Sequence, residues 1–193
     1  MSGGSILVVN AGSSSLKFSL FRLEAADALR LAVRGQIDGI GTRPSLKVKD
    51  DAGSTLDARE LATSEIREVK DAIALAGAWL RERFGGDPLL AVGHRVVHGG
   101  AEYSRPVRVD QTVYDALERM IPLAPLHQPH NVAGIEALRT LLPEVPQVAC
   151  FDTAFHRSQP DIAQQFALPR SFTAEGIKRY GFHGLSYEYI TRA

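Results

Sequence analysis

Residues 8–19 read VVNAGSSSLKFS, a pattern that could bind phosphate. A tight turn of glycine and serine can direct backbone N–H groups at an anion, and the hydroxyl groups of Ser13 and Ser15 would add donors. Lys17 shares a strand face with Ser15, so its ammonium group can reach the same oxyanion. The segment is not a Walker A loop, because the second glycine is missing and phenylalanine follows the lysine. Spacing alone leaves a phosphate site and a serine-rich hairpin both open.

A second candidate segment is GHRVVHGG, at residues 93–100, where an apolar strand ends. Ligands collect at such strand ends in α/β sheets. Alternation places Arg95 and Val97 on one face of the strand, and His94 and His98 on the other. The Arg95 guanidinium would suit a carboxylate and Val97 a short alkyl tail. The alternatives are an ion pair for the arginine, and hydrogen-bonded core positions or metal ligands for the histidines, although the spacing does not favour a closed zinc site.

Three shorter segments add polar side chains to loops and strand ends. His127 lies in a loop fixed by two prolines, before a helix that we expect Asn131 to open. Asp152 ends a buried strand, where a carboxylate could position a metal-bound water, a substrate or a cation. His183 lies between glycines that let the backbone approach a ligand, and Phe182 could line an apolar pocket. The alternatives are local hydrogen bonds for His127, a helix cap for Asp152 and an interdomain turn for the last segment.

The bulk composition limits the kind of ligand. The chain has 193 residues, 45% of them hydrophobic, so it can bury a core in one large or two small domains. Its 22 Lys and Arg residues balance 22 Asp and Glu residues, so neither nucleic acid nor a membrane surface is an expected partner. The candidate residues are instead a few cations and histidines, an asparagine and an aspartate. This set is typical of phosphoryl-transfer sites, where catalysis depends on positioning and electrostatic stabilisation.

The only cysteine, Cys150, excludes an intrachain disulfide and favours a reducing, cytoplasmic location. The first apolar run has no basic segment before it, so we expect no secretory signal. Nowhere do 18 apolar residues follow one another, so we expect no membrane span. Cys150 itself is most simply a buried core thiol, because no cationic setting that would activate it is evident.

Hydrophobic periodicity predicts an α/β fold with a mixed sheet and helices packed on its faces. The predicted strands cover residues 5–9, 16–23, 29–37, 45–48, 89–97 and 147–151, the first being buried on both faces and the first four forming an antiparallel meander. The predicted helices cover residues 66–84 with Ser64 as the cap, 110–121 and 131–142 with Asx caps, and 185–192. The chain stops at Ala193 without a helix stop signal, so we expect a truncated polypeptide.

Five segments, in this order, resemble the acetate kinase family: ILVVNAGSSSLKFSLF, GHRVVHGG, APLH followed by a proline, FDTAFH and YGFHGLSYEY. The resemblance covers almost the whole chain. It implies a ribonuclease-H-like fold with a βββαβαβα core, in the superfamily of acetate and sugar kinases, actin and heat-shock-chaperone ATPases. It further implies direct in-line transfer of phosphate between ATP and acetate, which gives acetyl phosphate, with Mg²⁺, in an enzyme that is a homodimer when full length.

The resemblance also implies roles for the phosphate-binding hairpin. Asn10 would touch the transferred phosphate and the magnesium site. Ser13, Ser15 and Lys17 would belong to the first phosphate hairpin. The family likeness therefore favours phosphate over the ordinary hairpin that spacing alone left open.

The remaining implied roles concern the acid substrate and the transition state. Arg95 would bind the acetate carboxylate and the transferring phosphoryl group, while Asp152 would orient Arg95 or the metal. His127 and His183 would stabilise the transition state. The pocket for the methyl group would consist of Val97, Leu126 and Phe182.

Two departures from the family pattern bear on function. Gln128 stands where the family usually has asparagine after the loop histidine. Family members are also about twice as long, for two domains. We therefore expect residues 1–152 to form the N-terminal domain and residues 153–193 to begin a second, nucleotide-side domain, and we expect this chain alone to have little kinase activity.

Other functions remain open at this stage. A propionate or butyrate kinase would use the same equipment, although Val97 favours acetate because a smaller residue would admit a longer tail. A ribonuclease-H-type nuclease needs clustered carboxylates for two metals, and the first strand supplies Asn10 instead. A non-catalytic nucleotide-binding or actin-like assembly module is a third alternative, although such a module would not require the set of Arg95, His127 and His183.

Overall fold

The computed structural model describes residues 3–25 and 28–192. Its centre is an eight-stranded mixed sheet with the strand order β5-β4-β3-β2-β1-β6-β8-β7. The strands are β1 Ser5–Ala11, β2 Ser15–Leu23, β3 Leu29–Asp38, β4 Ser45–Asp50, β5 Thr55–Glu60, β6 Leu89–Val96, β7 Val107–Arg108 and β8 Gln147–Phe151. The first five form an antiparallel meander, and β6 pairs in parallel with β1 and β8. The consecutive neighbours β3-β2-β1-β6-β8 correspond to the expected core.

The helices are α1 Val69–Phe84, α2 Gln111–Arg119, α3 Gln128–Leu141, α4 Arg170–Ala174 and α5 Gly184–Arg192. Short 3₁₀ turns cover Ile121–Leu123, Phe155–Ser158 and Asp161–Gln164. α1 and α3 pack side by side, and both contact the sheet. None of the helices in the described ranges combines the length and the apolarity that crossing a membrane requires.

The sheet buries the face that carries α1 and α3. On β1, Leu7 and Val9 are buried whereas Val8 is 40% exposed. The prediction that this strand is buried on both faces is therefore wrong, because its helices cover one face only. On β2 the alternation is as predicted, with Leu16 and Phe18 buried and Lys17 exposed on the opposite face.

Sequence reasoning missed two strands. β5 reads TLDARE, in which only Leu56 and Ala58 are apolar, so its alternation is too short to identify a half-buried strand. It pairs along the edge of the meander with β4, where solvent reaches both of its faces. β7 has only two residues, which is too short for any periodicity to register.

Two of the predicted helix starts are wrong, and one is confirmed. α1 begins after Glu68, whose side chain forms a capping box with Asp71, so Ser64 is not its cap. α3 begins at Gln128, which places Asn131 inside the first turn and not at the cap. The predicted cap of α2 is confirmed, since the Asp110 carboxylate accepts a 2.8 Å hydrogen bond from the N–H of Val113.

Candidate active site

Three strand ends bring an arginine, an aspartate and an asparagine together. Because β1, β6 and β8 run parallel, their carboxyl ends meet at one edge of the sheet. Nε of Arg95, on β6, donates to Oδ2 of Asp152 at 3.0 Å, and Nη2 donates to the same oxygen at 2.5 Å. Nη1 of Arg95 donates to Oδ1 of Asn10, at the end of β1, at 3.2 Å. The arginine is thus fixed by residues from both neighbouring strands.

The arrangement leaves part of the guanidinium available for a ligand. A guanidinium has five N–H donors. The three contacts of Arg95 use one donor on each of its nitrogens, which leaves one N–H on Nη1 and one on Nη2. The side chain of Asp152 is only 3% exposed, whereas that of Arg95 is 32% exposed. Asp152 therefore serves as a buried anchor, and the outer fork of Arg95 can bind a carboxylate or phosphate in bidentate fashion.

Arg95 lines an open cleft with a volume of about 460 Å³, which we call the Arg95 cleft. Seven of the eleven predicted site residues line it, namely Arg95, Val97, Leu126, His127, Asp152, Phe182 and His183. The other lining residues are Leu123, Ala124 and Pro125, all apolar. The cleft therefore has a cationic end, an apolar wall and two imidazoles. A short carboxylic acid could place its carboxylate at the cationic end and its alkyl group against the apolar wall.

The four predicted hairpin residues lie beside this cleft and do not line it. The pairing of β1 with β2 sets Lys17 directly opposite Asn10, with both side chains on the face that carries Arg95. Lys17 is exposed, and Asn10 lies between it and the arginine. Ser15 shares the face of Lys17, whereas Ser13 borders a different groove, between α1 and α3. The two cations thus share a face of the sheet and flank the same asparagine.

The segment that carries Phe182 and His183 is fastened to the strand end. The N–H of Gly184 donates to the carbonyl of Asp152 at 2.8 Å, and Nε2 of His156 lies 2.9 Å from the carbonyl oxygen of Phe182. A side chain on Gly184 would come within 2.3 Å of that Asp152 carbonyl, so only glycine permits this approach. His183 has φ of +58°, a left-handed conformation that costs free energy for a non-glycine residue. The backbone contacts on both sides hold it there, at the cleft.

Two buried amide side chains that the sequence interpretation missed hold the strand ends in place. Asn131 accepts from the N–H of Val97 at 2.9 Å and donates to the carbonyl of Ala11 at 2.8 Å. Gln128 accepts from the N–H of His98 at 3.2 Å and donates to its carbonyl at 3.1 Å. Their spacing of three residues puts both on one face of α3, which was the available signal. The pair joins the start of α3 to the ends of β1 and β6.

His94, on the opposite face of β6, and His98, two residues after that strand, occupy hydrogen-bonded core positions, one of the alternatives considered above. Nε2 of His94 lies 2.7 Å from Oε1 of Gln147, and burial lowers the pKa of His94 to about 4. Nδ1 of His98 accepts from the N–H of Gly100 at 2.8 Å, and burial lowers the pKa of His98 as well. Both rings are therefore neutral near pH 7, and neither lines the Arg95 cleft.

Cys150 lies on β8 directly across from Arg95, and it is half-buried. Burial raises the pKa of its thiol, and the carboxylate of Glu188 raises that pKa further. A protonated thiol is a poor nucleophile, so the setting fits a packing role.

The side-chain oxygens near Arg95 do not form a metal site by themselves. Asn10 and Asp152 offer the amide and carboxylate oxygens that Mg²⁺ prefers. Both are engaged by the guanidinium, whose positive charge opposes a dication at the same atoms. The described residues also contain no group of three or more His, Cys, Asp and Glu side chains that could hold a metal ion.

Comparison with known proteins gives consistent matches. The sequence model of the Acetokinase family matches residues 5–193. The chain is 50% identical over 188 residues to an acetate kinase of Nitrobacter hamburgensis, and 53% identical over 185 residues to one of Rhizobium meliloti. These alignments cover 97% and 96% of this chain, but 46% and 47% of the two relatives. The chain therefore spans just under half the length of the relatives it matches.

Solved structures confirm the predicted α/β fold class. A propionate kinase from Francisella tularensis superposes with a TM-score of 0.86 at 34% identity, over 98% of this chain and 47% of that one. An acetate kinase from Porphyromonas gingivalis superposes with a TM-score of 0.83, also at 34% identity, over 98% and 48%. The half-length coverage agrees with the expectation that this sequence is a piece of a longer protein.

Proposed function

Because the chain belongs to the Acetokinase family, we propose that the whole protein is an acetate kinase, which transfers a phosphoryl group from ATP to acetate and so forms ADP and acetyl phosphate. The observation that carries the proposal is the fixed guanidinium of Arg95, which presents two unused N–H groups to a cleft with apolar walls. A carboxylate with a small alkyl group complements both features.

In this proposal the acid substrate binds with its carboxylate on the fork of Arg95. Asp152 holds that fork in place, because two of the arginine donors already point at its buried oxygen. The methyl group packs against Val97, Leu126 and Phe182, which line the cleft. A carboxylate oxygen held in this way is oriented for in-line attack on a phosphoryl group that enters from the open side.

The charge that spreads over the transferring phosphoryl group needs several donors. We assign Arg95, His127 and His183 to this task, since all three side chains line the same cleft. Asn10 contacts the phosphate, and the hairpin residues Ser13, Ser15 and Lys17 are assigned to the phosphate chain of the nucleotide. The position of Lys17 directly across from Asn10 supports this assignment for the lysine.

The nucleotide and the metal complete the proposal. Mg²⁺ bound with ATP would neutralise phosphate charge, and Asn10 is the residue of this chain that we propose near it. Because Arg95 occupies the oxygens of Asn10 and Asp152, the remaining ligands would come from the phosphates, water and residues beyond this chain. A cytoplasmic location and a homodimer of the whole protein belong to the same proposal.

The decisive experiment replaces Arg95 in the whole protein. Arg95→Gln removes the fixed charge, so we expect kcat/KM for acetate to fall by a factor of roughly 10³ or more. Arg105→Gln removes an exposed arginine outside the cleft and serves as the matched control. Steady-state assays of acetyl phosphate formation measure both variants. Wild-type turnover in Arg95→Gln would refute the proposal.

A propionate kinase is the second candidate, because the Francisella tularensis propionate kinase superposes well on this chain. Val97 limits the apolar end of the cleft, and each additional methylene is worth only about 1–3 kcal/mol of discrimination. Comparing kcat/KM of the whole protein on acetate, propionate and butyrate separates the two candidates. We expect acetate to be preferred, and a higher value on propionate would reverse the assignment.

A further inference from the structure

A second pocket, smaller and more polar, lies beside the Arg95 cleft and shares no lining residue with it. We call it the Arg157 pocket. Its volume is about 200 Å³, and it is lined by Thr153, His156, Arg157, Gln159, Gln164, Arg179, Tyr180 and Gly181. This lining contains two arginines and neither aspartate nor glutamate. The pocket therefore carries positive charge that its own walls do not balance.

Arg157 lacks the partners that a half-buried guanidinium usually has. Its Nε is buried and has no hydrogen-bond partner among the described residues. Nη1 donates to Oε1 of Gln164 at 3.4 Å, and Nη2 donates to the carbonyl of Ala101 at 3.3 Å. Both bonds are long and both acceptors are neutral. A charged donor left without an acceptor in a buried position is costly, which indicates that an acceptor from outside the described residues belongs there.

Gln164 organises the pocket around both arginines. It is 7% exposed, and its Oε1 accepts from Arg157 while its backbone carbonyl accepts from the N–H of Arg179 at 2.9 Å. Its Nε2 donates to the carbonyl of Gln159 at 2.6 Å, which fixes the orientation of the amide. In the described part of the chain, the side chain of Arg179 forms no ion pair. A second cation is thus available at the rim.

We propose that the Arg157 pocket binds a small phosphate-type oxyanion. Arginine forks match the tetrahedral oxygens of such an ion, and Nε of Arg157 supplies the buried donor. The volume admits inorganic phosphate or one phosphoryl group of a small molecule, and it excludes a whole nucleotide, since pockets for larger ligands are several hundred cubic ångströms.

Occupation of this pocket would act on the neighbouring cleft. Thr153 follows Asp152 directly, and Gly181 precedes Phe182, so the two sites share their backbone segments. His156, which lines the pocket, contacts the carbonyl of Phe182. A bound anion would therefore order the segment that carries His183. This regulatory consequence rests on the proposed function, whereas anion binding itself does not.

Arginine side-chain NMR of the whole protein tests the binding directly. The probe is inorganic phosphate, added to the Arg95→Gln variant so that the cleft does not contribute. We expect the ¹⁵Nε–¹H signal of Arg157 to shift and saturate. Arg157→Gln or Arg179→Gln should weaken binding roughly tenfold or more, as expected for the loss of a charged hydrogen bond, whereas Arg105→Gln should leave it unchanged.

Sodium chloride at matched ionic strength is the control for screening. An Arg157 signal that phosphate leaves unmoved, or that chloride moves equally, would overturn the proposal. If Arg157→Gln does not fold, Arg179→Gln decides the matter, because this exposed side chain can be replaced without disturbing the core. Phosphate affinity that is unchanged in Arg179→Gln but lost in Arg105→Gln would also contradict binding in the Arg157 pocket.

Discussion

At the scale of single residues, environment determines the chemistry of each basic group. Arg95 and His94 are neighbours on β6, yet they face opposite sides of the sheet. Arg95 remains charged beside the buried carboxylate of Asp152, and part of it faces the cleft. His94 is 3% exposed, and burial lowers its pKa to about 4, so it stays neutral. One strand thus supplies a fixed cation for the site and an uncharged group for the core.

The neutral state of His94 makes stability depend on pH. Because the folded pKa of about 4 lies below the usual histidine pKa of 6.5, the unfolded chain binds a proton between these pH values that the folded chain does not. This contribution is fully present above pH 6.5 and is lost as the pH falls toward 4. It amounts to about 3 kcal/mol, since one pKa unit corresponds to about 1.4 kcal/mol.

Urea unfolding of His94→Gln and of the wild type, at several pH values in that window, measures this effect. We expect the free energy of unfolding of the variant to fall less steeply with acid, because glutamine does not titrate. Thr140→Ala, which replaces an exposed residue that does not titrate, is the control and should keep the wild-type slope. Identical slopes in His94→Gln and the wild type would contradict the assignment.

At the scale of elements, the site depends on where α3 meets the sheet. Gln128 and Asn131 lie in the first turn of α3, and their amides satisfy backbone groups at the ends of β1 and β6. The same turn follows His127, which lines the cleft. A helix start and two strand ends are therefore joined by side-chain hydrogen bonds at the point where the proposed substrate contacts lie.

Asn131→Ala should destabilise the chain by roughly 2–4 kcal/mol. The change leaves the N–H of Val97 and the carbonyl of Ala11 buried without partners, and each such group costs about 1–3 kcal/mol. Denaturant unfolding followed by circular dichroism measures the loss. Thr140→Ala, at an exposed position of the same helix, should change stability by only about 0.5 kcal/mol. Equal effects of the two changes would show that the amide bridge is unimportant.

At the scale of the whole molecule, the described chain holds one well-packed unit followed by a segment with many exposed apolar side chains. Ile162 is 82% exposed, Tyr189 is 74% exposed and Ile190 is 69% exposed. All three follow residue 152, where we predict the first domain to end. Apolar groups clustered in this way usually contact another surface. This supports the prediction that residues 153–193 begin a second domain.

The 193-residue chain should accordingly form no acetyl phosphate from ATP and acetate. The proposed site supplies contacts to the acid and to the transferred phosphate, but we expect the nucleotide contacts chiefly from the second half of the relatives' length. A coupled assay of ADP release measures turnover, with the whole protein as the positive control. Turnover by the short chain would show that its own residues are sufficient.

The sequence by itself determined the strands and helices with strong periodicity, the strand-end positions of Asn10, Arg95 and Asp152, and the family. These are local properties, since alternation, caps and motif spacing involve residues close together in the chain. β5 escaped prediction because only two of its residues, Leu56 and Ala58, are apolar, and neither of its faces is buried. The role of Asn131 escaped because its partners lie 34 and 120 positions away.

Only the tertiary structure decided which candidate residues share a cleft and which lie outside it. It placed Arg95, His127 and His183 around one space, and it left Lys17 and the hairpin serines outside the lining. It also buried His94 on the opposite face of the sheet, and His98 against the rings of Tyr180 and Phe182. It also formed the Arg157 pocket by joining residues of the FDTAFH and YGFHGLSYEY segments to Arg157, Gln164 and Arg179. Burial and long-range hydrogen bonds depend on how the elements pack, and that packing is a property of the whole chain.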